Sequence, residues 1–267
     1  MSNNRHFGQY AQQYDVNEHK IKLKLVHSIK TAKLCKNIAS SIFDKPELID
    51  LAYNIGLLHD ISRFEQWDTY QTFIDRESFD HGDYSVFLLF DQGLIQNYNI
   101  NPTLYPYLYI AIKNHNKLQL SEQELDAFCS EFNLNKEIAL NLCKIIRDAD
   151  KLDIIRLLIE NPKDMDISPF ATQKGYTPEM MNDFKSHHLC DFKNRNSILD
   201  FAIGYLAFPF DFNFPISSEI FSSVSEDYAN AVNIRYYKQL ANPEDKETLS
   251  NCCNYLVKQF EVQKNLE

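Results

Sequence analysis

The 267-residue chain has few glycines and no long apolar run, and both absences narrow its class. Only 6 glycines, with few alternating runs of β-branched residues, leave little room for a sheet protein. No apolar stretch approaches the roughly 20 residues that a membrane-spanning helix needs. Residues 1–15 are polar and lack the apolar core of a signal peptide, which predicts a cytoplasmic protein.

Positive charge and paired cysteines are also scarce. The net charge of -10 argues against a nucleic-acid backbone or an anionic membrane as the main partner. A small phosphorylated ligand stays compatible with this charge, because a bound metal can reverse the local field. The 6 cysteines form no CxxC pair, so we interpret them as small buried apolar residues.

Helical periodicity is frequent and predicts an all-α protein. Apolar residues recur at three- and four-residue intervals, which places them on one face of a helix. The predicted helices cover residues 17–43, 46–62, 78–93, 102–117, 121–132, 135–159, 216–240 and 243–263. The inward stripe predicted for the first of them is Leu25, Ile29, Ala32, Ala39 and Phe43.

Two local patterns refine this prediction. Asp44 and Glu47 flank Pro46, which indicates a capping box at the start of the second helix. Residues 207–215, AFPFDFNFP, alternate phenylalanine with polar residues and indicate an extended loop or a short strand. Its rings either pack on the helices or cover a pocket.

Polar residues end or interrupt several apolar stripes. Histidine and aspartate are costly to bury unless something pairs with them, and a shared metal ion would pair with all of them. Imidazole and carboxylate together suit a divalent transition metal such as Mn, Fe, Co, Ni or Zn. A single histidine of this kind would be an ordinary core or surface residue. The residues concerned are His27, His59, Asp60, His81, His115 and Asp150.

The segments around these residues resemble the HD superfamily of metal-dependent phosphohydrolases. They are HSIKTAKLCKNIA (27–39), LAYNIGLLHDISRF (51–64), DHGDYSVFLLF (80–90), AIKNHNK (111–117) and IIRDADKLDII (145–155). The resemblance covers residues 20–156 and implies a helical bundle with a metal site between its helices. We therefore predict an HD domain over 1–160 and a mostly helical C-terminal extension, packed on it, over 161–267.

The resemblance also implies ligands by position. His27, His59, Asp60 and Asp150 match the four ligands of one ion, with Asp148 as second choice for the last. Asp148 and Asp153 otherwise serve as supporting or solvent-facing groups. His81 and His115 match the extra histidines of two-metal members, in which the HD aspartate bridges both ions. The alternative is one ion beside two polar pocket histidines.

The expected chemistry is hydrolysis of a small phosphate ester or nucleotide by metal-activated water. Asp60, Arg63 and Lys151 are the predicted catalytic residues, and Arg147 is a further candidate cation. Arg63 follows His59 by four residues, which would place both on one helix face. The alternative for each of the three cations is ordinary surface charge.

Two other functions are also compatible with the sequence. The order of the ligands is also similar to that of HD-type di-iron oxygenases, although a lysine that closely follows the HD pair in some of these is replaced by Ile61-Ser62-Arg63. A non-catalytic, metal-bearing ligand sensor is the third reading. The absence of a GYP segment separates the chain from cyclic-di-GMP phosphodiesterases, and the oligomeric state, including a homo-oligomer, is left open.

Overall fold

A computed structural model describes residues 2–163 and 174–264, and within these ranges the chain is α-helical without a β-strand. The all-α prediction is therefore confirmed. The chain divides into two compact units, Met1–Asp153 and Ile154–Glu267. This division falls within one long helix, Lys136–Glu160, whereas the boundary between residues 160 and 161 stays a prediction.

The first unit carries the helices that hold the predicted ligands. In chain order they are α1 (Asn3–Ala11), α2 (His19–Ser40), α3 (Pro46–Leu58), α4 (Arg63–Tyr70), α5 (His81–Val86), α6 (Tyr105–Asn114), α7 (Glu122–Glu131) and α8 (Lys136–Glu160). Short 3₁₀ turns and one wider turn, Phe87–Asp91, connect them. Helices α1 and α4 were absent from the sequence prediction.

Local side chains explain where several of these helices begin. The Glu18 carboxylate accepts hydrogen bonds from the first backbone N–H groups of α2, and Asp80 does the same for α5. Pro46 occupies the start of α3, where a missing N–H is harmless. The predicted capping box there is wrong, because Lys45 precedes the helix and no side chain caps it.

Helices α2 and α3 pack closely through small residues. A Cβ at Gly56 would lie 2.7 Å from Cys35 Sγ and 2.8 Å from Ala32 Cα, so only glycine permits this approach. The stripe predicted for α2 is partly wrong: Ala32 and Ala39 are buried, but Leu25 and Ile29 are only half-buried. The buried face instead continues through Ser28, Thr31, Cys35 and Ile38.

Other predicted stripes are confirmed by burial. Leu48, Ala52 and Ile55 of α3 are buried, and so are Leu108 and Ala111 of α6. The apolar face of α8 is buried along Leu142, Cys143, Ile146 and Ala149. Each of these stripes leads to a predicted ligand, and burial at the end of a stripe therefore brings the ligand to the core.

The second unit is also helical in its described part. After the end of α8, its helices are α9 (Pro178–Lys185), α10 (Ile198–Leu206), α11 (Pro215–Ser222), α12 (Ser225–Tyr236) and α13 (Pro243–Lys264). The loop or strand predicted for 207–215 is partly wrong: Phe208–Asp211 form a 3₁₀ turn, whereas the backbone at Phe212 and Phe214 is extended. Phe210 stacks on His187 and Phe260 within the same unit.

The cysteines and the hydropathy of the helices agree with the sequence reading. All six thiols are free and buried. Among residues 2–163 and 174–264, no helix combines the length and apolar character that crossing a membrane would require.

Candidate metal centre

Five helices of the first unit bring the predicted ligands to one place. His27 lies in the middle of α2, and Asp150 lies in α8. His59 and Asp60 follow the end of α3, while His115 follows the end of α6. His81 is the first residue of α5. These residues are buried except Asp150, whose side chain is 20% exposed, so solvent reaches the cluster on its side.

The first half-site consists of His27, His59 and Asp150 together with one oxygen of Asp60. His27 Nε2 lies 3.1 Å from Asp150 Oδ1 and 3.5 Å from Asp60 Oδ2. His59 Nε2 lies 3.6 Å from each of the same two oxygens. Ligand atoms that share one ion at about 2.0–2.2 Å are separated by about 3.0–3.6 Å, so this spacing fits a single ion.

The second half-site consists of His81 and His115 together with the other oxygen of Asp60. The two Nε2 atoms lie 3.0 Å apart. Asp60 Oδ1 lies 3.6 Å from His81 Nε2 and 3.7 Å from His115 Nε2. Asp60 thus presents Oδ2 to one half-site and Oδ1 to the other, and both groups have the compactness of metal-ligand sets.

Each of the four imidazoles is fixed through its Nδ1 atom. His59 and His115 donate to the backbone carbonyls of Gly56 and Ile112, at 2.8 and 2.6 Å. His27 donates to Asp153 Oδ2 at 2.7 Å, and His81 donates to Asp75 Oδ2 at 2.6 Å. With the proton on Nδ1, the neutral ring presents the Nε2 lone pair to the cluster, which is the form that binds metal.

The Nε2 atoms have the environment that metal ligands need. Those of His27 and His59 are buried and make no hydrogen bond within the protein. The Nε2 atoms of His81 and His115 would oppose two lone pairs at 3.0 Å if both rings were neutral. The buried, unpaired nitrogens of His27 and His59 cost free energy, and a cation between such lone pairs removes that cost. The residues therefore fit a divalent ion in each half-site.

The pKa of His27 is shifted in the opposite direction from the pKa values of His59 and His81. Burial would lower the pKa of His27, but the carboxylates of Asp150 and Asp153 outweigh it and raise this pKa to about 9. Burial lowers the pKa of His59. Burial, together with the nearby guanidinium of Arg63, lowers the pKa of His81 to about 4.

The two carboxylates that face the histidines are ionised. Burial would raise the pKa of Asp60, but Lys24 and the neighbouring imidazoles and guanidinium hold it well below its ordinary value. Burial would also raise the pKa of Asp150, but its interactions with His27 and His59 outweigh burial. The pKa of Asp150 is therefore well below its ordinary value. Negative charge is therefore available for a cation at neutral pH.

The predicted catalytic cations are all engaged within the protein. Arg63 begins α4 rather than continuing α3, so its predicted place on the helix face of His59 is wrong. Its guanidinium still approaches the site, with Nε 3.5 Å from Asp60 Oδ1. Lys151 Nζ is buried and donates to the carbonyl of Arg147, and Arg147 donates to the carbonyls of Lys117 and Leu118.

The aspartates near Asp150 have separate positions. Asp153 is fully buried and bonds to His27, so it is a supporting group. Asp148 is also fully buried, but it precedes Asp150 by two residues and is turned about 200° away on the helix. The structure therefore brings Asp150, and not Asp148, to His27.

Two residues of the site were missed in the sequence. Lys24 Nζ donates to Asp60 Oδ2 at 2.7 Å, and it could have been found because it lies one turn before His27 on α2. Asp75, in the turn Asp75–Glu77, contacts both His81 and Arg63. No periodic pattern marks a residue in such a turn.

Comparison with protein-family models gives a match over the part of the chain that carries the site. Residues 25–155 match the family model of the HD domain, a span that contains all six predicted ligands. Neither the curated proteins nor the solved structures give a match for the chain.

Proposed function

The chain belongs to the HD domain family through residues 25–155, and from this we propose that it is a metal-dependent phosphohydrolase. The proposed substrate is a small phosphate ester, with a nucleotide as the favoured class. The proposal includes a cytoplasmic location and no nucleic-acid or membrane partner. The observation that carries it is the cluster in which Asp60 faces His27 and His59 with one oxygen and His81 and His115 with the other.

We propose two ions, one in each half-site, drawn from Mn, Fe, Co, Ni or Zn. His27, His59, Asp60 and Asp150 would hold the first, and His81, His115 and Asp60 would hold the second. When bound, such ions supply an acidified water as nucleophile and polarise the phosphoryl oxygens. Histidine nitrogens and carboxylate oxygens suit this group of metals better than Mg or Ca, which prefer oxygen ligands alone.

The protein contributes orientation and charge to this reaction. Asp153 and Asp75 hold the rings of His27 and His81, so their Nε2 atoms stay directed at the ions. Lys24 contacts Oδ2 of Asp60, and Arg63 lies beside Oδ1. Both cations would be close to a phosphoryl group bound at this centre and would stabilise the negative charge that develops on it. Lys151, which follows Asp150 in α8 and donates to the carbonyl of Arg147, remains a proposed catalytic residue.

A metal-by-substrate screen tests the proposal. Protein freed of metal is supplied in turn with Mn, Fe, Co, Ni or Zn and assayed for phosphate release from nucleotides and simple phosphate mono- and diesters. We expect turnover that depends on the ion and is lost in His59→Ala. His188→Ala is the matched control, because His188 is an exposed histidine of the second unit.

The outcomes separate the competing functions. No phosphate release by protein shown to carry metal would refute the phosphohydrolase proposal. Oxygen consumption by the iron form with a polyol or phosphonate would instead favour an oxygenase. Metal-loaded protein that binds a ligand without converting it would favour a sensor.

A further inference from the structure

The second half-site contains a positively charged side chain of the protein, the guanidinium of Arg63. Arg63 Nη2 lies 3.2 Å from His81 Nε2, the atom that would bind an ion. Its Nε lies 3.5 Å from Asp60 Oδ1, the oxygen that belongs to the same half-site. The guanidinium therefore contacts two of the three groups that form this half-site.

Arg63 is held firmly in this position. Its Nη1 donates to Gln66 Oε1, to the backbone carbonyl of Phe73 and to Asp75 Oδ1, at 2.5, 2.7 and 2.9 Å. The side chain is 12% exposed. A planar guanidinium with this many acceptors cannot move aside without breaking several partly buried hydrogen bonds.

The first half-site has a different charge balance. Lys24 also contacts Asp60, but it is a single ammonium on a flexible stem and contacts the oxygen at one point. Asp150 adds a second carboxylate 3.1 Å from His27 Nε2. The first half-site therefore combines two carboxylates with an ammonium that contacts one of them at a single atom, whereas the second combines one shared carboxylate with a guanidinium that contacts two of its groups.

We propose that Arg63 acts as a resident cation that weakens the second half-site for a divalent ion, so that the two half-sites fill in sequence. A fixed positive charge repels an incoming cation at this distance, and its N–H occupies the lone pair of His81. The first half-site binds its ion tightly, and the second fills only at a higher ion concentration. This inference rests on the proposed metal centre, but it concerns ion binding and not turnover.

Titration of the metal-free full-length chain with Co²⁺ tests this inference. Isothermal calorimetry gives the two dissociation constants, and visible absorbance reports the coordination of Co²⁺. The variant is Arg63→Gln, which removes the charge and keeps a hydrogen-bonding side chain. Arg76→Gln is the matched control, because Arg76 is exposed and lies next to Asp75 in the same turn. Far-UV circular dichroism and thermal unfolding verify the fold of each protein.

We expect Arg63→Gln to tighten the second Co²⁺ step by at least about tenfold, equivalent to about 1.4 kcal/mol, with the first step changed less than about twofold. Arg76→Gln should leave both steps unchanged. A second step that is unaltered or weaker in folded Arg63→Gln would overturn the inference. If Arg63→Gln does not fold, Arg63→Met replaces it, because methionine also removes the charge and keeps an unbranched side chain. Tightening of the second step then supports the inference, and no tightening overturns it.

Failure of the inference is distinguishable from failure of the proposed function. If no protein binds any Co²⁺, the metal centre itself is wrong and both fall. If a first ion binds and Arg63→Gln does not improve the second, only the role of Arg63 is wrong. If both ions bind as expected but no phosphate ester is hydrolysed, the proposed function falls and the role of Arg63 stands.

Discussion

His27 and Asp150 are carried by helices of 22 and 25 residues, whereas His81 begins a helix of only 6 residues that follows a loop. In the first half-site, the supporting carboxylate, Asp153, is one turn from a ligand on the same helix. In the second, the supporting Asp75 comes from a separate 3₁₀ turn. The first half-site therefore depends on regular helix packing, and the second depends on loop contacts around Arg63.

The two half-sites differ in how many contacts hold their ligand residues in place. A long helix whose apolar face is buried has many contacts that keep its polar residues in place. A short helix and a turn have few, so their ligands depend on individual hydrogen bonds. We expect the first half-site to tolerate loss of one support better than the second does.

Asp60→Ala should have the largest effect, because Asp60 serves both half-sites. Loss of a supporting group costs about 10–100-fold in metal affinity, and loss of a shared ligand should cost more in each half-site. Calorimetric Co²⁺ titration would measure both steps. Asp50→Ala, an exposed aspartate of α3, should leave both steps intact. Retention of one tight site in Asp60→Ala would contradict the bridging position.

Asp153→Asn and Asp75→Asn separate the two half-sites. Each should weaken the binding of one ion by about 10–100-fold, since each carboxylate orients one imidazole, and the loss should be larger for Asp75→Asn. Asp153→Asn should act on the first Co²⁺ step and Asp75→Asn on the second, so each variant is the control for the other. Equal effects of both variants on both steps would show that the half-sites are not separately supported.

Gly56→Ala should disturb the first half-site through packing. The added methyl meets Ala32 and Cys35, and overpacking of this kind costs about 1–3 kcal/mol of folding free energy. Urea unfolding would measure it. Gly8→Ala in α1 is the control: nothing lies within 4 Å of its Cβ position, so the change should be neutral or stabilising by up to about 1 kcal/mol. Equal stability of both variants would contradict the close approach of α2 and α3.

Lys24→Gln should have the smallest effect and act on substrate. If Lys24 leaves Asp60 to contact a phosphoryl oxygen, loss of this charged hydrogen bond should reduce kcat/KM by roughly tenfold. Steady-state assays at two salt concentrations would measure it, because the charge effect should shrink at high salt. Lys22→Gln, exposed on the same helix, is the control. An unchanged kcat/KM would limit Lys24 to pairing with Asp60.

The sequence predicted the ligands at the ends of helical stripes, in both half-sites, better than it predicted the contacts that support them. Helical periodicity identified the buried stripes that end at His59, His115 and Asp150, and burial confirms them. The supporting roles of Asp75 and the position of Arg63 depend on a turn and on a helix start, neither of which has a periodic signature. The family resemblance supplied the ligand set but not these contacts.

The hydrophobic pattern of the sequence also fails to predict where one helix ends and the next begins. The segment 46–62 reads as one helix, but α3 ends at Leu58 and α4 begins at Arg63. Residues 59–62 form a turn between them, in which Ser62 Oγ donates to the carbonyl of His81. Apolar residues continue across this break, so the hydrophobic pattern could not reveal it, and the break is what directs Arg63 to Asp60.

In the proposed centre with two ions, the position of Asp60 would make the two ions thermodynamically linked. One carboxylate charge would be divided between two cations, so an ion in either half-site would reduce the attraction left for the other. This is negative cooperativity, and the coupling free energy is the same whichever ion binds first. A ligand that placed a negative group between the half-sites would offset this repulsion, and substrate and metal would then strengthen each other's binding.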